Sequence, residues 1–274
     1  MADAAPQPDV EPSDFETSIP EEMFVKDLDY TCEFVGDDVV GQARITDELR
    51  PPGSRLVRPS VLATLGDVIA GRMATVPTAP RLALTLDIGV RILTDDVPDE
   101  IDMAATILKA GRGTVVTETE FRETAPSFAT GRLVAISQLT FVPSPRPQDL
   151  YPPMDGPQVT RGTMRAPLPE HVGTRLLAPG VVEIDRTPFV SQLSGTLQGG
   201  IVALLGELAA ESLLGAPIRD LETNYLTTIR VGPGRATATL LGRGLARVEV
   251  HDAGNDDRFA ALVLARTEGS GDGR

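Results

Sequence analysis

Two rhythms of apolar and polar positions alternate along this chain of 274 residues. Between Leu84 and Leu93 the period is two. Leu86, Ile88, Val90 and Ile92 share one face, and Thr85, Asp87 and Arg91 the other. That pattern predicts a half-buried strand. Similar runs fall at 30–35, 39–45, 103–109, 114–121 and 132–142. A second series falls at 175–185, 222–231, 235–241, 245–251 and 258–266. Two stretches depart from the alternation: Val61 to Gly71, and Gly199 to Ala210. They are too long and too rich in Ala and Leu for strands, which predicts buried helices over 59–74 and 199–214.

The two helical stretches share a pattern. Val61-Leu62-Ala63-Thr64-Leu65-Gly66-Asp67-Val68 and Ile201-Val202-Ala203-Leu204-Leu205-Gly206-Glu207-Leu208 both read apolar-apolar-Ala-x-Leu-Gly-acid-apolar. The acids lie 140 positions apart (207 minus 67), about half the chain. A carboxylate kept inside an apolar run is costly unless it is paired or used. Its appearance twice predicts an internal duplication and makes Asp67 and Glu207 candidates for the chemistry. Gly111-Arg112-Gly113 and Gly242-Arg243-Gly244 also fall at matching places. Each half therefore reads as two strands, one long buried helix and three or four antiparallel strands, an α+β architecture. The expected organisation is an acidic disordered tail over 1–29, a first unit over 30–142, and a Pro-rich stiff linker over 143–160. A second unit follows over 161–268, then a short tail over 269–274.

Charge and composition narrow the classes. The formal net charge is −14, of which −8 sits in residues 1–30, leaving −6 for the remainder. An acidic body is unsuited to nucleic acid. No apolar run reaches the roughly 18 residues that span a bilayer. The acidic N-terminus lacks a signal-peptide pattern, so the expectation is a cytoplasmic protein with no membrane partner. A lone cysteine, Cys32, excludes an internal disulfide, and with only His171 and His251 present no metal site is expected. No cofactor is expected either.

This order of elements, with a glycine-led helix holding one acid, resembles the hotdog fold. More closely, it resembles the acyl-CoA thioesterases of the phenylacetate-pathway and 4-hydroxybenzoyl-CoA type, over 30–142 and 161–268. The resemblance implies two tandem hotdog units on one chain, forming a covalent pseudo-dimer with the acyl thioester at their interface. It also implies further assembly into a homodimer or higher homo-oligomer. Where family members carry His-Gly-Gly before the helix, this chain has Arg58-Pro59-Ser60 in one half and Gln198-Gly199-Gly200 in the other.

In the family the acid comes from one unit. A helix-start glycine N–H and an amide side chain seven residues before it come from the other. Carried over by position, Glu207 leads back to Gly199 and then Gln192, so the second half holds both oxyanion elements. Asp67 leads back to Pro59, which has no N–H, and to Pro52, which has no amide. Some members place a hydroxyl eighteen residues after the acid, which gives Thr85 and Tyr225. The resemblance thus implies one complete site from Asp67, Thr85, Gln192, Gly199 and Gly200. Its impaired mate combines Glu207 with the Ser60 N–H. Arg112 and Arg243 either meet coenzyme A phosphates or remain solvated loop residues. The implied activity is hydrolysis of an acyl-CoA thioester. The alternatives are acyl-CoA binding without turnover and, further off, a hydratase or dehydratase of acyl thioesters.

Overall fold

A computed structural model describes residues 23–146, 149–150, 156–162, 164–192 and 194–267. The first half runs β1 (Asp29–Val35), β2 (Asp38–Arg44), α1 (Pro59–Thr78), β3 (Ala83–Ile92), β4 (Glu100–Ala110), β5 (Val115–Glu123) and β6 (Leu133–Pro143). A short strand, β7 (Gln158–Arg161), and one helical turn, α2 (Leu168–His171), join it to the second half. There the order is β8 (Thr174–Ala178), β9 (Val181–Ile184), α3 (Gly199–Leu214), β10 (Ile218–Tyr225), β11 (Gly234–Gly242), β12 (Leu245–Asp252) and β13 (Arg258–Thr267).

All thirteen strands described lie in one sheet, in the order β7-β1-β2-β4-β5-β6-β3-β10-β13-β12-β11-β9-β8, and every pairing is antiparallel. Read inward from each edge, the halves pair in matching order: β1-β2-β4-β5-β6-β3 and β8-β9-β11-β12-β13-β10. They meet at a central seam between β3 and β10, where Val90 faces Leu221 and Asp87 faces Asn224. The helices α1 and α3 lie on one side of the sheet and pack against each other. Alternation explains the sidedness. Val115, Thr117, Thr119 and Phe121 of β5 are buried, while Glu118 and Glu120 between them are not.

Both helices begin where the sequence places them. Pro59 suits the first position of α1, where its missing N–H is not needed. Gln198 caps α3, and Gly215 ends it in the left-handed conformation, φ 71°. The glycine in each Leu-Gly-acid motif has a packing reason. A β-carbon on Gly66 would lie 2.5 Å from Ser137 Oγ on β6, and one on Gly206 2.7 Å from Val263 on β13. The motif thus seats each helix on the sheet through the glycine and turns the following acid elsewhere.

Other expectations need correction. Helix α1 continues four residues past 74, through Pro77 to Thr78. The run at 175–185 is two strands, broken at Gly180 with φ 82°. The run at 222–231 ends as a strand at Tyr225. Beyond it, the buried Asp252 carboxylate accepts the N–H groups of Arg230, Val231 and Gly232, diverting that backbone from ladder pairing. Residues 23–29, assigned to the tail, are packed: Phe24 and Leu28 are buried. The expected tails at 1–22 and 268–274, and parts of the linker, lie outside the described residues. Among the described residues no helix is long and apolar enough to cross a membrane.

Candidate active site

Asp67 leaves α1 in the turn after Thr64. Thr64 is the point where the two helices touch: a β-carbon at Gly200 would collide with its Oγ1. Glycine at 200 is therefore required by the close approach of α1 to the start of α3. Asp67 is half-buried, and Thr85 Oγ1 on β3 donates to its Oδ1 at 2.7 Å. No cation pairs with this carboxylate among the described residues. Burial raises its pKa from 3.8 to about 6, with the Thr85 bond pulling the other way.

The start of α3 lies at the same end of the seam. Its first two N–H groups, on Gly199 and Gly200, have no intrahelical acceptor. Gln198 Oε1 accepts the N–H of Ile201 at 3.1 Å. The Gln198 side chain is buried, and among the described residues no acceptor takes its Nε2 protons. Tyr225, at the seam end of β10, donates its hydroxyl to Gly199 O at 2.9 Å. Burial, then the charges of Asp67 and Asp87, hold the Tyr225 phenol well above its usual pKa. The Asp67–Thr85 pair, Tyr225 and the start of α3 with its Gln198 cap thus lie toward one end of the seam.

Gln192 is placed differently. It is exposed, and its Nε2 donates to Thr196 Oγ1 within its own loop at 2.6 Å. Arg112 and Arg243 are exposed in the β4–β5 and β11–β12 turns. Sheet register puts the Arg112 turn at the Thr85 end of the seam, since Val115 pairs with Phe141 and Phe141 with Thr85. The Arg243 turn is at the opposite end, since Leu245 pairs with Arg266 and Arg266 with Asp220.

The matching locus, where Glu207 of α3 meets the start of α1, is filled. Glu207 is fully buried. Its Oε1 accepts from Arg58 Nη1 at 2.8 Å, and its Oε2 accepts the Ser60 N–H at 2.9 Å. Arg58 Nη1 also donates to Glu211 Oε2 at 2.6 Å. The first free N–H of α1 is therefore already taken, and Arg58 stands where Gln198 stands in the other half. Burial raises the Glu207 pKa, and the Arg58 charge opposes it.

Three contributors escaped the counting of offsets: Gln198, Arg58 and the true place of Tyr225. The contrast of Arg58-Pro59-Ser60 with Gln198-Gly199-Gly200 carried the signal for the first two. The eighteen-residue step overshoots in the second half because α3 has 16 residues and α1 has 20. Tyr225 consequently reaches the start of its own helix, beside Asp67. Among the described residues no cluster of three or more His, Cys, Asp or Glu could hold a metal ion.

No family model matches the chain, and no curated protein matches it in sequence. Solved structures do resemble it. An acyl-ACP thioesterase from Bacteroides thetaiotaomicron is 11% identical over 84% of this chain and 97% of that one, with a TM-score of 0.57. The 12:0-ACP thioesterase from Umbellularia californica is 10% identical over 85% and 98%, with a TM-score of 0.59. The tesB protein from Mycobacterium avium subspecies paratuberculosis is 15% identical over 85% and 93%, with a TM-score of 0.52. At these identities the likeness shows the fold: a large antiparallel sheet with few helices, shared with proteins of which the first two are called thioesterases.

Proposed function

We propose that this chain hydrolyses an acyl thioester at the β3–β10 seam, with Asp67 as the general base. In this reading the units over 30–142 and 161–268 are tandem hotdog units paired as a covalent pseudo-dimer. The Asp67 carboxylate removes a proton from a water that Thr85 helps to orient. The oxygen of that water attacks the thioester carbonyl. The developing oxyanion is met by the N–H groups of Gly199 and Gly200 and by an amide Nε2. Collapse of the tetrahedral adduct breaks the C–S bond. The thiolate leaves and takes up the proton held by Asp67, and the acid product is released.

The amide donor in this scheme is Gln198. Gln192, the position given by the family offset, spends its Nε2 on Thr196. The observation that carries the reading is the Asp67–Thr85 pair at the same end of the seam as the N-terminus of α3; among the described residues no cation pairs with Asp67 and no acceptor takes the Gly199 or Gly200 N–H. A pKa of about 6 leaves Asp67 ionised at neutral pH, yet basic enough to take a proton. Activity should fall as pH drops through about 6. The carrier is coenzyme A or an acyl carrier protein, with Arg112 at the right end of the seam to meet its phosphate. The reading needs no metal or cofactor, and extends to a cytoplasmic homodimer or higher assembly.

Thiol release from a panel of acyl-CoA esters tests the proposal. The expected result is turnover that Asp67→Asn abolishes. Saturable binding without thiol release from any ester would replace hydrolysis with simple acyl-CoA binding.

A further inference from the structure

The two helix starts are fastened in different ways, and one fastener has no assigned role. At α1 the first turn is held by the Glu207 carboxylate on the Ser60 N–H, which consumes a donor. At α3 no acceptor among the described residues takes the N–H groups of Gly199 or Gly200. Gln198 Oε1 grips Ile201 N from above. From the sheet side, Tyr225 Oη donates to Gly199 O at 2.9 Å. That carbonyl is in any case an acceptor of the helix's own ladder, so the phenol is an additional donor reaching up from β10. The ring also lies against the Gly199 backbone: a β-carbon there would be 3.3 Å from Oη and 3.5 Å from Cζ. Burial and the nearby charges of Asp67 and Asp87 keep the phenol protonated, hence always a donor.

We propose that Tyr225 is a positioning residue: its bond to Gly199 O holds the first turn of α3 in register with the Asp67 carboxylate while leaving the helix-start N–H groups free. The inference rests on the hydrolytic function proposed above. A carbonyl must sit simultaneously against those N–H groups and an attacking water held by Asp67. Small displacements of one wall against the other then cost rate while leaving affinity alone, and about 1 Å of misplacement can cost about a hundredfold.

The test is Tyr225→Phe, which removes the hydroxyl and keeps the ring. The expected result is kcat lower by about tenfold with KM within about twofold. Faster amide exchange should be confined to the first turn of α3, with Tm near that of the unaltered chain. Unchanged kcat or unchanged exchange overturns the proposal. So does a joint collapse of KM, kcat and Tm, which would make Tyr225 a general packing residue. A second measurement guards against a variant that fails to fold. The sequence holds only three tyrosines, so global replacement by difluorotyrosine is practical and alters donor strength without removing the ring. A changed kcat at constant KM supports the proposal, and an unchanged kcat sinks it. If the unaltered chain releases no thiol from any acyl thioester, the hydrolytic reading fails by itself. Exchange at the first turn of α3 then decides separately whether Tyr225 fastens that turn.

Discussion

Asp67 and Glu207 occupy the same step of the same motif, one on each long helix, yet they live in opposite electrostatic circumstances. Glu207 is wholly buried and satisfied, with Arg58 on one oxygen and the Ser60 N–H on the other. Asp67 has one hydroxyl bond from Thr85 and no cation among the described residues. Burial disfavours both anions; at Glu207 the Arg58 charge and the Ser60 N–H oppose it, whereas at Asp67 only the Thr85 hydroxyl does. The same helical position thus holds a carboxylate paired with a cation in one half and one bonded only to a hydroxyl in the other; in the proposed reading the second is the reactive group. The residues preceding the two helices differ accordingly: arginine at 58, which pairs with Glu207, and glutamine at 198, which caps its own helix.

The sharpest break in that comparison is Asp67→Asn, which should lower kcat by about 10²–10⁴ in a thiol-release assay, the contribution of a general base. Next comes the amide. Gln198→Ala should raise the barrier by about 2.7–4 kcal/mol, as loss of one oxyanion donor does, read as kcat with the same ester. Glu207→Gln should act on stability instead. Breaking a buried ion pair costs about 3–5 kcal/mol, and the loss should fall at the low end because Glu211 stays on Arg58. Urea unfolding measures it, and kcat of the folded variant should remain near that of the unaltered chain. Equal losses of kcat for the acid-to-amide changes at 67 and 207 would show two working loci and end the asymmetry.

A subtler effect follows from the raised pKa of Asp67. The folded pKa of Asp67, about 6, lies above its unfolded value of 3.8. Between these values the unfolded chain is ionised while the folded one keeps its proton. Stability therefore falls as pH rises through this window, and ionised Asp67 is a liability above it. Asp67→Asn should stabilise the protein by about 1–3 kcal/mol above pH 6 and by almost nothing below pH 4. Thermal unfolding across pH 4–8 checks both the sign and the window. The smallest effect belongs to Gln192→Ala. With its amide already spent on Thr196, kcat should hardly change. A loss as large as that of Gln198→Ala would return the oxyanion role to Gln192.

Both helix starts and most strands were legible in the sequence because local chemistry writes them: proline at 59, a glycine pair at 199–200, alternation along β3. What stayed hidden depends on distant partners. Strand β7 has four residues and exists because Asp29 to Cys32 of β1 offers it an edge some 130 positions away. The Arg58–Glu207 pair spans 149 positions. The offsets that located Thr85 misplaced Tyr225 because the two helices differ in length. Gln198 escaped because a neutral amide beside two glycines gives no charge or periodicity to notice.

The central seam has one more consequence. It joins β3 to β10, two different strands of a single polypeptide. Where two identical chains meet at such a line, each substitution occurs twice, and both loci must drift together. Here a codon changed on one side leaves the other side untouched. An arginine can be fixed at 58 without placing another at 198, so one carboxylate can acquire a cation while its counterpart stays without one among the described residues.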